Sequence, residues 1–249
     1  MIKFFRHIRQ RLLGENRFTK YLLYALGEII LVVIGILLAL QINTWNQQRQ
    51  NIKKEGQFLS EINENLNEDL QAIEKNLAFN QKKYEAMDSA FHYMALMQQD
   101  KRYGKQFSSL LPVLSNGVYF SPSRIAFDGI VSTGQIEIIR HVNLRKQLAR
   151  YYVDQSLDGV QDQLKTTTQQ FLDITVPKMI NKEMTKFFTK RDFDVISIEQ
   201  LTLHNDPEIL SKLFVMLNKT KEHDRRLKEM KEKILVLQEA IKMYTNQDR

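Results

Sequence analysis

The run YLLYALGEIILVVIGILLALQI, Tyr21 to Ile42, constrains this chain more than any other feature, because an apolar segment of that length must be hidden from water. Its 22 residues would reach about 33 Å as a helix, enough for a hydrocarbon core of about 30 Å. A start at Ile29 leaves only 14 residues before Asn43, about 21 Å, which is too short. Glu28 therefore belongs to the span or to its inner edge. Fourteen Leu, Ile and Val residues lie between Leu22 and Ile42. Each favours insertion by roughly 0.3 to 0.6 kcal/mol, against roughly 2.5 to 3.5 kcal/mol for a central acid. The span survives its carboxylate.

The run exceeds the apolar core of about 7 to 15 residues that a cleaved signal carries, and Ala39-Leu40-Gln41 offers no small-x-small cleavage site. It reads as an uncleaved anchor. The net charge of +7 is concentrated before it, where six basic residues (Lys3, Arg6, Arg9, Arg11, Arg17, Lys20) face one acid, Glu15. Residues 45–100, with six basic and nine acidic residues, are net negative. A nucleic-acid-binding face is not expected from such a distribution. The basic cluster instead orients the span with its N-terminus in the cytoplasm. In a Gram-negative cell that makes 1–20 cytoplasmic, 21–42 transmembrane in the inner membrane, and 43–249 a periplasmic domain. Tyr21, Tyr24 and Trp45 are placed as interface anchors. Ile2, Phe5, Ile8 and Leu12 fall at helical spacing among the basic residues, so residues 1–20 read either as an in-plane amphipathic helix on anionic lipid or as a basic tail.

Two stretches carry a family resemblance. MIKFFRHIRQRLLGENRFTKYLLYALGEIILVVIGILLALQINTWNQQR resembles the N-terminal cassette of an uncharacterised family of single-pass membrane proteins from Gram-negative bacteria, a domain of unknown function. FSPSRIAFDGIVSTGQIEIIRHVNLRKQLARYY, Phe120 to Tyr152, is similar to that family's second block. There Ser132-Thr133-Gly134 makes a turn, Ile136 to Ile139 an apolar run, Asn143-Leu144-Arg145 a helix start and Tyr151-Tyr152 a closing pair. The resemblance implies the layout of the chain and no activity.

Beyond the span the pattern is helical throughout. Trp45, Ile52, Leu59, Leu66, Ile73, Met87 and Met94 recur every seven residues with Asn80 as the polar exception, and Ile62, Leu70, Leu77, Tyr84 and Phe91 fill between them. One long helix to about Met97, or a pair broken near Gly56, is expected. Glu61, Glu64, Glu68 and Asp69 then form its solvated side. A short helix around Phe107 to Leu114 follows, then one starting at Ser121-Pro122 and stopped by Gly134. Asn143 is expected to cap a helix reaching Pro177, and Met179, Ile180, Met184, Phe187 and Phe188 to form a shorter one. Residues 191–205 read as irregular. Asp206-Pro207-Glu208 opens the last helix, whose stripe is Leu210, Leu213, Leu217, Leu227, Ile234, Leu237, Ile241 and Tyr244. A strand is conceivable only at Gln135 to Ile139. The fold class is all-α: a transmembrane helix, then a long-helix bundle whose first and last members pair antiparallel in coiled-coil fashion.

No chemistry emerges from the motifs. His7, His92, His141, His204 and His223 are scattered without metal spacing and are expected at surfaces or caps. Asp192 and Asp194 flank Phe193 beside Lys190 and Arg191, which is turn chemistry, and Arg140-His141 reads as a cap. No nucleophile elbow, phosphate loop or dinucleotide fingerprint appears. No cysteine is present to bind a metal or attack a substrate. No catalytic residue, metal or cofactor is expected, and an enzyme is not. Two function classes remain. One is a scaffold or interaction partner of another membrane complex. The other is a ligand-sensing domain that signals through a membrane partner.

The partners expected are the bilayer and, through the span, a second copy or another membrane protein. At 100° per residue Gly35 lies about 20° short of Glu28 and Ala39 about 20° past it, so the acid shares a face with two small residues. That face is either a helix-docking surface built on Glu28, Gly35 and Ala39, or Glu28 is an interfacial residue reaching Tyr24 or headgroup water.

Overall fold

A computed structural model describes residues 18–180, 185–186, 189–192, 203 and 206–247. Residues 1–17 of the amphipathic segment expected over 1–20, Met184, Phe187 and Phe188 of the helix expected from Met179 to Phe188, and most of 191–205 lie outside them. The described residues are helical, with no strand among them. The chain divides into two units, 1–57 and 58–249.

Helix α1 (Phe18–Leu96) is 79 residues long and contains no proline. Gly56, the expected breaking point, lies inside it. One helical glycine costs about 1 kcal/mol, too little to interrupt a helix that buries Leu59, Ile62 and Leu66 directly afterwards. In the first unit, α1 exposes its Leu, Ile and Val side chains from Leu22 to Ile42, and it is the one described helix long and apolar enough to cross a membrane.

In the second unit α1 is followed by two short helices, α2 (Tyr103–Ser109) and α3 (Leu111–Ser115), where one was expected. Helix α4 (Ile125–Ser132) starts three residues after Pro122, because the preceding segment is tied to other helices. Both backbone groups of Phe120 bond to the Gln161 amide, and the Ser123 N–H donates to Asp69. The first turn of α4 is satisfied from α1, where Asn65 Oδ1 accepts the Ala126 N–H at 3.1 Å. Gly134, in the left-handed region at φ 66°, ends it as expected. Residues Ile136–Ile138 make a 3₁₀ turn rather than a strand.

Helix α5 (Val142–Val153) starts one residue before Asn143, with His141 at the cap position and its ring stacked on Tyr244 at 3.8 Å. The expected single helix to Pro177 is two. Asp154 accepts the Ser156 N–H in a local turn, and α6 (Asp158–Met179) follows. Pro177 sits in the last turn of α6, which ends two residues later.

Helix α7 (Pro207–Gln247) starts as its sequence requires. Asp206 Oδ1 accepts the N–H groups of Glu208 and Ile209, Lys178 of α6 pairs with the other oxygen, and Pro207 follows. Burial works against the Asp206 charge, but Lys178 and the two N–H groups hold its carboxyl below the ordinary range. Helices α1 and α7 run antiparallel: Asn67 bonds Gln238, Glu74 bonds Lys231, and Asn80 bonds Asp224.

Candidate functional site

Two places concentrate what is unusual about this chain. The first is the span face. Glu28 is half-buried, Ala39 is exposed, and a Cβ added at Gly35 would meet no atom within 4 Å. All three lie on α1, so helical geometry puts them on one face. Trp45 is exposed, and the side chains of Tyr21 and Tyr24 lie outside the described ones.

The second place is the interior of the second unit. Helix α1 buries two seams of seven-residue spacing. One is Leu59, Leu66, Ile73, Asn80, Met87 and Met94; the other is Ile62, Asp69, Asn76, Lys83 and Ala90, continued by Met97 just past the helix end. Helix α7 answers with Ile209, Met216, His223, Met230 and Leu237, and with Leu213, Thr220, Leu227, Ile234 and Ile241. Polar residues thus occupy the middle of each seam. They separate an apolar cluster around Leu66, Ile73, Leu227 and Ile234 from another around Met87, Met94, Phe171 and Met216.

Asp69 departs from the solvated side expected for it. It is 2% exposed and accepts the Tyr151 hydroxyl at 2.6 Å and the Ser123 N–H at 2.7 Å, while Glu68 takes the Ser123 hydroxyl at 3.2 Å. Burial raises its carboxyl pKa above the ordinary value despite those two donors. Tyr151 is buried by the same packing, and burial together with the Asp69 bond pushes its phenol upward. Arg124 donates to the Tyr152 carbonyl and pairs with Asp128.

Lys83 is 1% exposed, and its ammonium donates to the Asn116 carbonyl at 2.8 Å and lies 3.4 Å from the Thr168 hydroxyl. Desolvation lowers its pKa to about 8. His223, expected at a surface or cap, is fully buried, and burial with the nearby Lys83 charge holds its pKa at about 4. Its ring contacts Asn80 and Gln161. Spacing could have found it: His223 stands seven residues from both Met216 and Met230.

Elsewhere, α5 and α7 flank an open groove of about 460 Å³, floored by Val236 and Leu237 and bordered by the Lys233–Asp154 pair. Asp192, read with Asp194 as turn chemistry, is bound to Lys186 at 3.3 Å, and Asp194 lies outside the described residues. No group of three His, Asp or Glu among the described residues is placed to hold a metal ion.

Among the described residues the fold is all-helical, with one candidate membrane-spanning helix whose residues continue into a helical domain. The model of a family of unknown function, DUF6090, matches residues 28–165, more than half of the chain, and the chain belongs to that family. No curated protein and no solved structure matches it. The matched residues run from Glu28 through the first third of α6. They contain Asp69 with both its donors, Ser123 and Tyr151.

Proposed function

We propose that this protein is a non-enzymatic scaffold or interaction partner of another membrane complex, anchored in the inner membrane by one span, with residues 1–20 cytoplasmic and 43–249 periplasmic. The observation that carries the reading is that α1 is at once the apolar segment, exposed from Leu22 to Ile42, and the helix whose seams are buried in the second unit. A helix of that kind ties a folded domain to a membrane plane. The basic residues before the span support the orientation. Glu28, Gly35 and Ala39 are the face offered to the partner, a second copy or another membrane protein, because small residues admit close helix approach and an intramembrane acid turns toward protein.

Topology is tested by fusing alkaline phosphatase after Arg249. An active enzyme is expected, and an inactive one on intact full-length protein overturns the orientation. The docking face is tested by cross-linking in membranes. Glu28→Gln should keep the wild-type complex, whereas Glu28→Leu and Gly35→Ile should each lose it without reducing insertion. Identical complexes in all four proteins would remove the docking face and leave Glu28 as an interfacial residue. A small molecule retained through purification would instead favour the ligand-sensing reading, for which the groove between α5 and α7 offers a cleft.

A further inference from the structure

His223 sits in a hydrogen-bond chain that fixes where its proton is. A carboxylate can only accept, so the Asn80 group 2.6 Å from Asp224 Oδ1 is the amide NH₂. That same NH₂ lies 3.1 Å from Nδ1 of His223, so Nδ1 is an acceptor and carries no proton. On the other side, the Phe120 N–H donates to Gln161 Oε1 at 2.6 Å, and the Phe120 carbonyl accepts from Gln161 Nε2 at 3.0 Å. The Gln161 oxygen is therefore fixed too, and it faces Nε2 of His223 at 3.3 Å. Nε2 carries the proton. Each amide that reads the ring is pinned by a backbone or carboxylate group whose role cannot reverse.

A second proton can enter only at Nδ1, where it would point at the Asn80 N–H, donor against donor. The surroundings offer it no compensation. From α1 the ring's neighbourhood receives Asn80, Lys83 and Tyr84; from α6, the neutral Gln161 and Thr168; from α7, Thr220 and Asp224; and from the segment before α4, the backbone of Asn116 and Phe120. Lys83 adds a like charge, and the Asp224 carboxylate is already engaged by Asn80 and Tyr84. Apolar clusters lie on both sides of this layer. They can stay packed while the layer between them opens.

We propose that the polar layer at His223 is a proton-operated joint: protonation at Nδ1 breaks the Asn80 contact and loosens α1, α6 and α7 at this level, leaving the flanking apolar clusters folded. The ring is held below its ordinary pKa of 6.5, at about 4. Its contribution is therefore complete above about pH 6.5 and is lost as pH falls toward 4.

The test is hydrogen exchange by mass spectrometry on the full chain in detergent micelles between pH 7.5 and 5, corrected for intrinsic exchange rates. Peptides covering 76–87 and 216–227 should lose protection by about tenfold or more on acidification, and those covering 59–73 and 230–241 should not. His223→Gln, which keeps a neutral hydrogen-bonding group, should abolish that response. The same acid response in both proteins, or equal loss across the flanking peptides, overturns the joint. Should His223→Gln fail to fold, ¹⁵N-histidine NMR of the wild-type protein decides, with the other four histidines assigned by substitution. An Nε2–H tautomer titrating well below 6.5 supports the joint, and a ring titrating near 6.5 overturns it.

Discussion

Asp69→Ala is expected to destabilise the helical domain by roughly 2 to 4 kcal/mol, because it orphans two donors at once. The Tyr151 hydroxyl and the Ser123 N–H both end on this carboxylate, at 2.6 and 2.7 Å. Among the described residues neither donor bonds to a second acceptor, and the Tyr151 side chain is buried. The cost comes from stranding those donors, which a double-mutant cycle isolates. Asp69→Ala combined with Tyr151→Phe should cost less than the two single changes added, by roughly 0.5 to 3 kcal/mol. The adjacent tyrosine is the control. The Tyr152 hydroxyl is buried with no hydrogen-bond partner among the described residues, so Tyr152→Phe should be neutral or slightly stabilising and close to additive with Asp69→Ala. Chemical denaturation of the full chain in detergent, followed by circular dichroism, measures the wild type and the five variants. A loss under about 0.5 kcal/mol for Asp69→Ala would mean that the anchor between α1 and the Phe120 to Tyr152 segment is not a stabilising one.

That anchor shows what the sequence conceals. The long helix, its continuation from the apolar run and the start of α7 are written locally. Span length and hydropathy concern one helix alone, and Asp206, Pro207 and the N–H groups they serve are neighbours in the chain. The start of α4 is not local, since its cap, Asn65, lies 61 residues away on α1. The expected start at Ser121-Pro122 had the right residue types, but the backbone there is committed to Gln161 and Asp69. The seams were legible in period and displaced in phase. Leu70, Leu77, Tyr84 and Phe91 suggest one of them, yet they are only partly buried, while Asp69, Asn76, Lys83 and Ala90, one position earlier, are fully so. Apolar residues mark the edge of a buried seam as readily as its centre. A polar residue at the centre is tolerated only through distant partners: Asp69 through Tyr151, Lys83 through Asn116 and Thr168, His223 through Gln161. No periodicity displays such partners. The span face is the reverse case, since Glu28, Gly35 and Ala39 are placed together by helix geometry alone, and what meets them is a property of another helix.

Lys83 gives the second large effect, and its sign runs against the usual intuition about alkaline pH. Burial without a carboxylate among its hydrogen-bond partners lowers its pKa from 10.5 to about 8. The folded chain then gives up this proton before the unfolded chain does. Between those two values the unfolded state binds more protons, so stability rises with pH. From pH 7.5 to 9.5 the gain from this one group is roughly 2 kcal/mol. Above about pH 10 the buried tyrosines reverse the trend, because burial raises Tyr84, Tyr151 and Tyr152 and the unfolded chain ionises first. No thiol titrates in the window, since the chain has no cysteine. Lys83→Met, close in volume and uncharged, should flatten the rise between pH 7.5 and 9.5. At pH 7 it should cost little, because relief of the desolvated ammonium offsets the donor withdrawn from the Asn116 carbonyl. The check is a series of denaturation curves for both proteins across that range. A wild-type profile that stays flat, or one that rises equally in Lys83→Met, would place the ammonium in contact with water and remove Lys83 from the sealed layer.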